Sequence, residues 1–221
     1  YSIGMLVQLF ISGMNSALTP WMYSKIKKGD IRSMRKVLQL LSIVVVGIAV
    51  ALMLISPEMV LIFGSPKYRE AVYVIPPVAA SVFFIFIYNI LSMPQFYYEK
   101  TQFLMAASMA AAGANVVLNF IFIRLFGYIA AGYTTLACYM LYSVGHYIVS
   151  KQILVNEGIQ ENLMNPGFLL ACSVFLIGAS IICNLIFPYR ILRYAILLAS
   201  AGLVFWKKEL LLKTMADIRK K

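Results

Sequence analysis

Four stretches of the chain, residues 37–56, 71–92, 102–123 and 168–188, contain no Asp, Glu, Lys or Arg. A helix rises ~1.5 Å per residue, so about twenty such residues reach ~30 Å, the thickness of a bilayer's hydrocarbon core. Few folds accept segments of this kind. With hydrophobic residues at 62% and charged residues at 12%, a water-soluble domain would lack the polar surface to cover its core. The sequence therefore predicts an all-α, polytopic transmembrane bundle, because helices satisfy their own backbone hydrogen bonds in lipid.

Seven spans are predicted, roughly 1–24, 37–56, 71–93, 102–123, 128–149, 167–187 and 190–206, followed by a basic tail over 207–221. Charge tests the count. With loops assigned to alternate sides, the first, third and fifth loops and the tail hold fourteen Lys and Arg, and the others hold five: Lys67, Arg69, Arg124, Arg190 and Arg193. The richer side is cytoplasmic by the positive-inside rule, so the chain begins outside and its C-terminus is cytoplasmic. Tyr1 opens the chain inside an apolar stretch, without initiator Met, basic leader or small-residue cleavage site, so the sequence reads as part of a longer protein.

The longest loop, residues 150–166, leaves no room for a soluble catalytic domain. Residues 57–70 carry an apolar patch, Met59 to Phe63, closed by Gly64-Ser65-Pro66; this predicts a short interfacial helix on the outer face. The net charge is +11, and twelve of the nineteen Lys and Arg lie at residues 25–36 and 207–221, flanking apolar segments, which points to the membrane surface and not to nucleic acid. Cys138, Cys172 and Cys183 lie within apolar stretches with no CxxC pair, so neither a disulfide framework nor a metal site is predicted. No cofactor is expected.

Polar residues within the spans show which faces turn away from lipid. Gln8, Ser12, Asn15 and Thr19 recur at offsets of four, three and four along the first span, and Thr135, Tyr139, Tyr142 and His146 repeat those offsets in the fifth. Each set forms one helical face. Weaker stripes appear in the third span (Ser81, Tyr88, Ser92, Gln95) and the fourth (Ser108, Asn115, Asn119). The competing explanation for every stripe is helix-to-helix hydrogen bonding. His146, the single histidine, admits a proton-coupled role, against the simpler alternative that it reaches the interface near Lys151. No Asp or Glu occupies the centre of a span, so no carboxylate relay is visible.

The fourth span is rich in small residues, Ala106, Ala107, Ala110, Ala111, Ala112, Gly113 and Ala114, which predicts close packing inside the bundle. Pro20 and the pair Pro76-Pro77 are predicted bends. The second and seventh spans, nearly free of polar residues, are predicted to face lipid or to seal the bundle.

Three strings are specific enough to suggest a family. Asn15-Ser16-Ala17-Leu18-Thr19-Pro20-Trp21-Met22-Tyr23, Phe96-Tyr97-Tyr98-Glu99-Lys100-Thr101 and Phe126-Gly127-Tyr128-Ile129-Ala130-Ala131-Gly132-Tyr133-Thr134-Thr135 resemble the C-terminal half of polysaccharide repeat-unit flippases. These are the O-antigen, capsule and exopolysaccharide transporters of the multidrug/oligosaccharidyl-lipid/polysaccharide exporter superfamily. The resemblance covers essentially the whole chain. It implies an inner-membrane protein with two pseudo-symmetric lobes and alternating access, of which this chain is an incomplete second lobe plus two trailing helices. Its implied partners are an undecaprenyl-pyrophosphate-linked oligosaccharide, membrane lipids and the N-terminal lobe of the same protein, with a polysaccharide polymerase as a further candidate.

On this reading Gln8, Ser12, Asn15, Thr19, Tyr88, Asn115, Asn119, Thr135, Tyr139, Tyr142 and His146 are the candidate substrate pathway. Lys25, Lys27, Lys28 and Arg124 are candidates for attracting pyrophosphate. Arg124 departs from the family pattern, standing before Leu125-Phe126-Gly127 where many relatives have Pro; an interface anchor is its alternative role. Rival readings are a multidrug and toxin exporter, whose cavity would be acidic or strongly aromatic, and the lipid II flippase, whose cavity would be more cationic. A membrane-embedded polymerase or glycosyltransferase would be an enzyme, and its outer loops would be longer than these. A purely structural membrane subunit is the remaining alternative. No enzymatic chemistry is expected.

Overall fold

The computed structural model describes the backbone of residues 2–63 and 66–206, with side chains at 9, 11–62, 70–200 and 202. Seven α-helices account for most of it: α1 (Ser2–Lys27), α2 (Ile31–Phe63), α3 (Ile75–Tyr97), α4 (Gln102–Phe126), α5 (Ala130–Asn156), α6 (Pro166–Ile186) and α7 (Arg190–Trp206), with a 3-10 segment at Pro66–Val74. The fold is all-helical, with no strand among the described residues. Four segments, Ile31–Ile62, Glu70–Tyr97, Gln102–Phe126 and Pro166–Ile186, are long and apolar enough to cross a membrane. The basic tail at 207–221, Gly64-Ser65 and the side chains of Lys67, Arg69 and Gln8 lie outside the described residues.

α3 is the hub. It packs against α1, α2, α5 and α6, and its buried set runs from Pro76 to Gln95 on all sides of the helix, as a mean composition with little polar character allows. The helical rhythm of α2, at offsets of three and four (Leu38, Ser42, Val45, Ala49, Met53, all buried), turns one face toward α3 and leaves the other more exposed.

The helix ends follow local chemistry. α1, α3 and α5 each stop with the same 6→1 backbone closure, from Asp30 N to Lys25 O, Lys100 N to Gln95 O and Ile159 N to Leu154 O. The left-handed residue this closure needs is Gly29, Glu99 and Gly158 respectively. α6 starts on Asn165, whose Oδ1 accepts from Gly167 N and Phe168 N at 2.8 and 3.3 Å, with Pro166 in the first turn.

Side-chain contacts between helix ends fall into two sets. Arg32 donates to Glu161 (2.7 Å), Arg35 to Asn162 O (2.7 Å) and Lys100 to Glu157 (3.0 Å), joining the first, third and fifth connections. Tyr128 donates to Glu70 (3.1 Å), Asn184 to Tyr133 (3.0 Å) and Arg193 to Glu58, joining the even-numbered connections. The helices therefore alternate up and down.

Three expectations are corrected. The predicted interfacial helix after residue 56 is instead the continuation of α2, which runs unbroken through Pro57 for 33 residues. A proline removes the hydrogen bond to the carbonyl four residues earlier, here Met53 O; the Ser56 hydroxyl donates to that carbonyl at 2.7 Å, so the helix continues. Pro76 and Pro77 do not bend a span but occupy the first turn of α3, where a missing N–H costs nothing. The small-residue helix α4 is not packed inside the bundle. None of its residues is buried, and α5 is its main neighbour. Small side chains permit close approach but contribute little contact themselves, so burial requires a second helix laid against them.

Close approach is realised instead at Gly132. A Cβ there would lie 2.8 Å from Pro77 Cγ and 3.0 Å from Val74 O, both rigid parts of the α3 entrance. Gly132→Ala is expected to push α5 from α3 and destabilise the protein by about 1 to 2 kcal/mol. A thermal melt in detergent checks it, and an unshifted midpoint would contradict the close contact.

Candidate functional site

Halfway along α1, α3 and α5 the bundle opens into a mostly polar cavity of about 350 Å³. Ile11, Ser12, Asn15, Ser16 and Thr19 of α1 face Ile85, Tyr88 and Asn89 of α3 and Tyr139 of α5. Three members of the first-span stripe, Ser12, Asn15 and Thr19, thus meet one member each of the third- and fifth-span stripes, Tyr88 and Tyr139, in one volume. The size suits a small polar ligand or part of a larger one.

Three donors in the wall are already engaged. Ser16 Oγ donates to Ser12 O (2.9 Å), Thr19 Oγ1 to Asn15 O (2.7 Å) and Asn89 Nδ2 to Ile85 O (2.7 Å). These internal bonds let polar side chains sit in an apolar helix at low cost, and they leave acceptor lone pairs for a ligand. Asn15 Oδ1 is buried and makes no hydrogen bond to any described residue, an exception among buried polar atoms. No acidic or basic side chain lines this cavity among the described residues.

Tyr88 connects the cavity to an aromatic cluster. Its ring is parallel to that of Tyr139 (centroids 6.2 Å apart, planes at 4°) and lies 4.7 Å from Tyr142 and 5.9 Å from His146. Tyr142 and Phe103 each meet the imidazole edge-on, at 4.5 and 5.4 Å, while the Tyr142 hydroxyl is 2.8 Å from Ser108 Oγ of α4. Beneath this cluster His146 is fully buried, its Nδ1 2.8 Å from Gln95 Nε2. The alternative that His146 reaches the interface is therefore corrected: α3 and α4 residues enclose the ring.

The candidate residues divide as follows. Ser12, Asn15, Thr19, Tyr88 and Tyr139 line the cavity, and Tyr142 and His146 adjoin it through Tyr88. Asn115 and Asn119 pair with one another (2.9 Å), and Asn119 Oδ1 accepts from Thr134, so they bridge α4 to α5 as membrane helices commonly do. Thr135 donates to Ala131 O of its own helix (2.8 Å). Gln8 belongs to α1, its side chain outside the described residues.

Among the cations, Lys25 is corrected. Its ammonium is buried, 2.6 Å from Asp30 Oδ2, so its charge is already matched; Lys27 and Lys28 remain exposed at the α1 terminus. Arg124 is exposed and stacks over Phe120, 3.8 Å from its centroid, an anchor contact. Sequence reasoning missed Ser16 and Asn89. Each is polar within an apolar helix and one residue from a stripe member, and that adjacency was the available signal. The chain matches no family model, no curated protein and no solved structure in comparisons with each.

Proposed function

We propose that the chain is the C-terminal half of a polysaccharide repeat-unit flippase, moving an undecaprenyl-pyrophosphate-linked oligosaccharide from the cytoplasmic to the outer leaflet of the inner membrane. All seven helices cross the bilayer in this reading, with 207–221 on the cytoplasmic side. The observation that carries it is convergence: hydroxyl and amide groups of α1 and α3, with a tyrosine from α5, gather around one uncharged cavity at mid-height. Sugar hydroxyls would exchange water for Asn15, Thr19 and Asn89, with the Tyr88 and Tyr139 rings packing on apolar sugar faces. The polyprenyl tail stays in lipid, and no covalent step is needed. Rocking between states needs a first lobe, so these residues alone are expected to transport nothing.

Deleting the gene is expected to accumulate undecaprenyl-linked repeat units on the cytoplasmic side. The full-length protein carrying Asn15→Leu or Tyr139→Ala is expected to restore surface glycan poorly, and Thr19→Ser to restore it well. A multidrug exporter is the second reading, favoured by the aromatic cluster of Tyr88, Tyr139, Tyr142 and His146, which suits a flat cation. Unchanged glycan with altered dye resistance in the deletion strain would reverse the order.

A further inference from the structure

A second cavity, of about 280 Å³, lies on the other side of α3. Its floor is Phe83, Phe84 and Ile87, whereas the polar cavity uses Ile85, Tyr88 and Asn89; at 100° per residue these are opposite faces. Its walls are Met140, Val144 and Tyr147 of α5 and Leu169 and Leu170 of α6. Both helices pack on α3 but scarcely touch each other, leaving a groove whose rim residues Val144 and Leu170 are exposed.

The two serine hydroxyls in the lining are spent internally. Ser143 donates to Phe84 O and Tyr139 O at 2.9 and 2.8 Å, and Ser173 donates to Leu169 O at 2.8 Å. Apart from the Tyr147 hydroxyl, the lining otherwise presents hydrocarbon and aromatic carbon, so this part of the groove recognises an apolar chain by shape. At about 30 Å³ per water-sized group, it holds a chain of roughly nine carbons.

The groove also has a polar end. Pro166 begins α6 there, beside the connection that Arg35 grips through Asn162 O at 2.7 Å. Lys36 and Lys151 are exposed at the same end of the bundle. We propose that this groove binds one acyl chain of an anionic phospholipid, with the phosphate held at the Arg35 end, as a fixed lipid between α5 and α6. This rests on the helices lying in a membrane and not on transport. A bound chain would fill the gap between two helices that share only α3.

Native mass spectrometry of the protein purified from its membrane tests the proposal. The wild-type protein is expected to retain an anionic diacyl phospholipid through delipidation. Val144→Trp and Leu170→Trp, which fill the groove from opposite walls, are expected to lose it. Leu198→Trp, on the exposed face of α7, is expected to keep it. Equal retention in all four proteins, no retained lipid in the wild type, or an isoprenoid phosphate in place of the phospholipid would each overturn it. The flippase reading stands or falls separately, on glycan accumulation.

Discussion

Arg193→Ala is expected to destabilise the bundle by about 2 to 3 kcal/mol, the usual cost of losing charge-assisted hydrogen bonds to a half-buried carboxylate and a helix carbonyl. Arg193 is 3% exposed and donates from Nη1 to Glu58 Oε2 (2.7 Å) and from Nη2 to Glu58 Oε1 (2.8 Å), a two-point fork. Nη1 also donates to Leu54 O at 2.7 Å. That carbonyl lies three residues before Pro57, in the turn whose hydrogen bonding the proline disrupts. Ser56 satisfies Met53 O, and Arg193 supplies Leu54 O with a partner from another helix. Tyr194 completes the set, its hydroxyl donating to Glu58 Oε1 at 3.0 Å.

Removing the guanidinium thus leaves the carboxylate with the Tyr194 hydroxyl as its one donor from α7 and loosens the start of α7 from α2. Thermal unfolding in detergent and protease release of the C-terminal helix measure the two consequences. The double variant Glu58→Gln with Arg193→Met removes both charges together, so it is expected to lie nearer the wild type than Arg193→Ala does. An unchanged melting temperature for Arg193→Ala would show that the fork contributes nothing.

That pair also shows where sequence reading stops. The helices were legible because apolar length and hydrogen-bond self-sufficiency in lipid leave few alternatives. The alternation of connections was legible because positive charge is distributed between the two sides. Stripe residues such as Asn15 and Tyr139 were legible as inward-facing because a polar group in an apolar helix needs a reason to be there. Glu58 and Arg193, 135 residues apart, look like ordinary charges at helix ends until folding brings the ends together. The interfacial helix failed for a related reason: the effect of Pro57 depends on whether a neighbouring hydroxyl reaches the stranded carbonyl.

The fourth helix gives the opposite lesson. Its alanines were read as a packing face, which describes what the surface permits and not what occupies it. Asn115 and Asn119 share the stripe logic of the first and fifth helices, yet Asn119 bonds to Thr134 of α5. Periodicity identifies the inward face of a helix. Whether that face meets another helix or a cavity depends on how far apart the axes stand, and no single helix encodes that distance.

Gln95 and His146 offer the sharpest test of that distinction. Both are fully buried, Gln95 Nε2 stands 2.8 Å from His146 Nδ1, and the same amide nitrogen reaches Leu91 O at 3.3 Å. With the amide as donor, Nδ1 accepts and the ring proton sits on Nε2, which has no hydrogen-bond partner among the described residues; neither have Gln95 Oε1 and Ser150 Oγ. The edge-on rings of Tyr142 and Phe103 give the imidazole only weak polar company. Gln95→Leu is expected to cost about 2 to 3 kcal/mol because it leaves both imidazole nitrogens buried without a partner, and His146→Leu is expected to cost a similar amount by stranding the amide. The double variant deletes both sides of the hydrogen bond and two of the three orphaned atoms, so it is expected to be more stable than either single variant, a coupling of about 1 to 2 kcal/mol. Additive losses would show that the pair is not an interacting unit. If the pair only fastens α3 to α5, the double variant in the full-length protein keeps wild-type glycan export. If His146 carries a proton during the cycle, the same stable variant loses export or its dependence on pH, because leucine replaces the hydrogen bond's volume but not its proton.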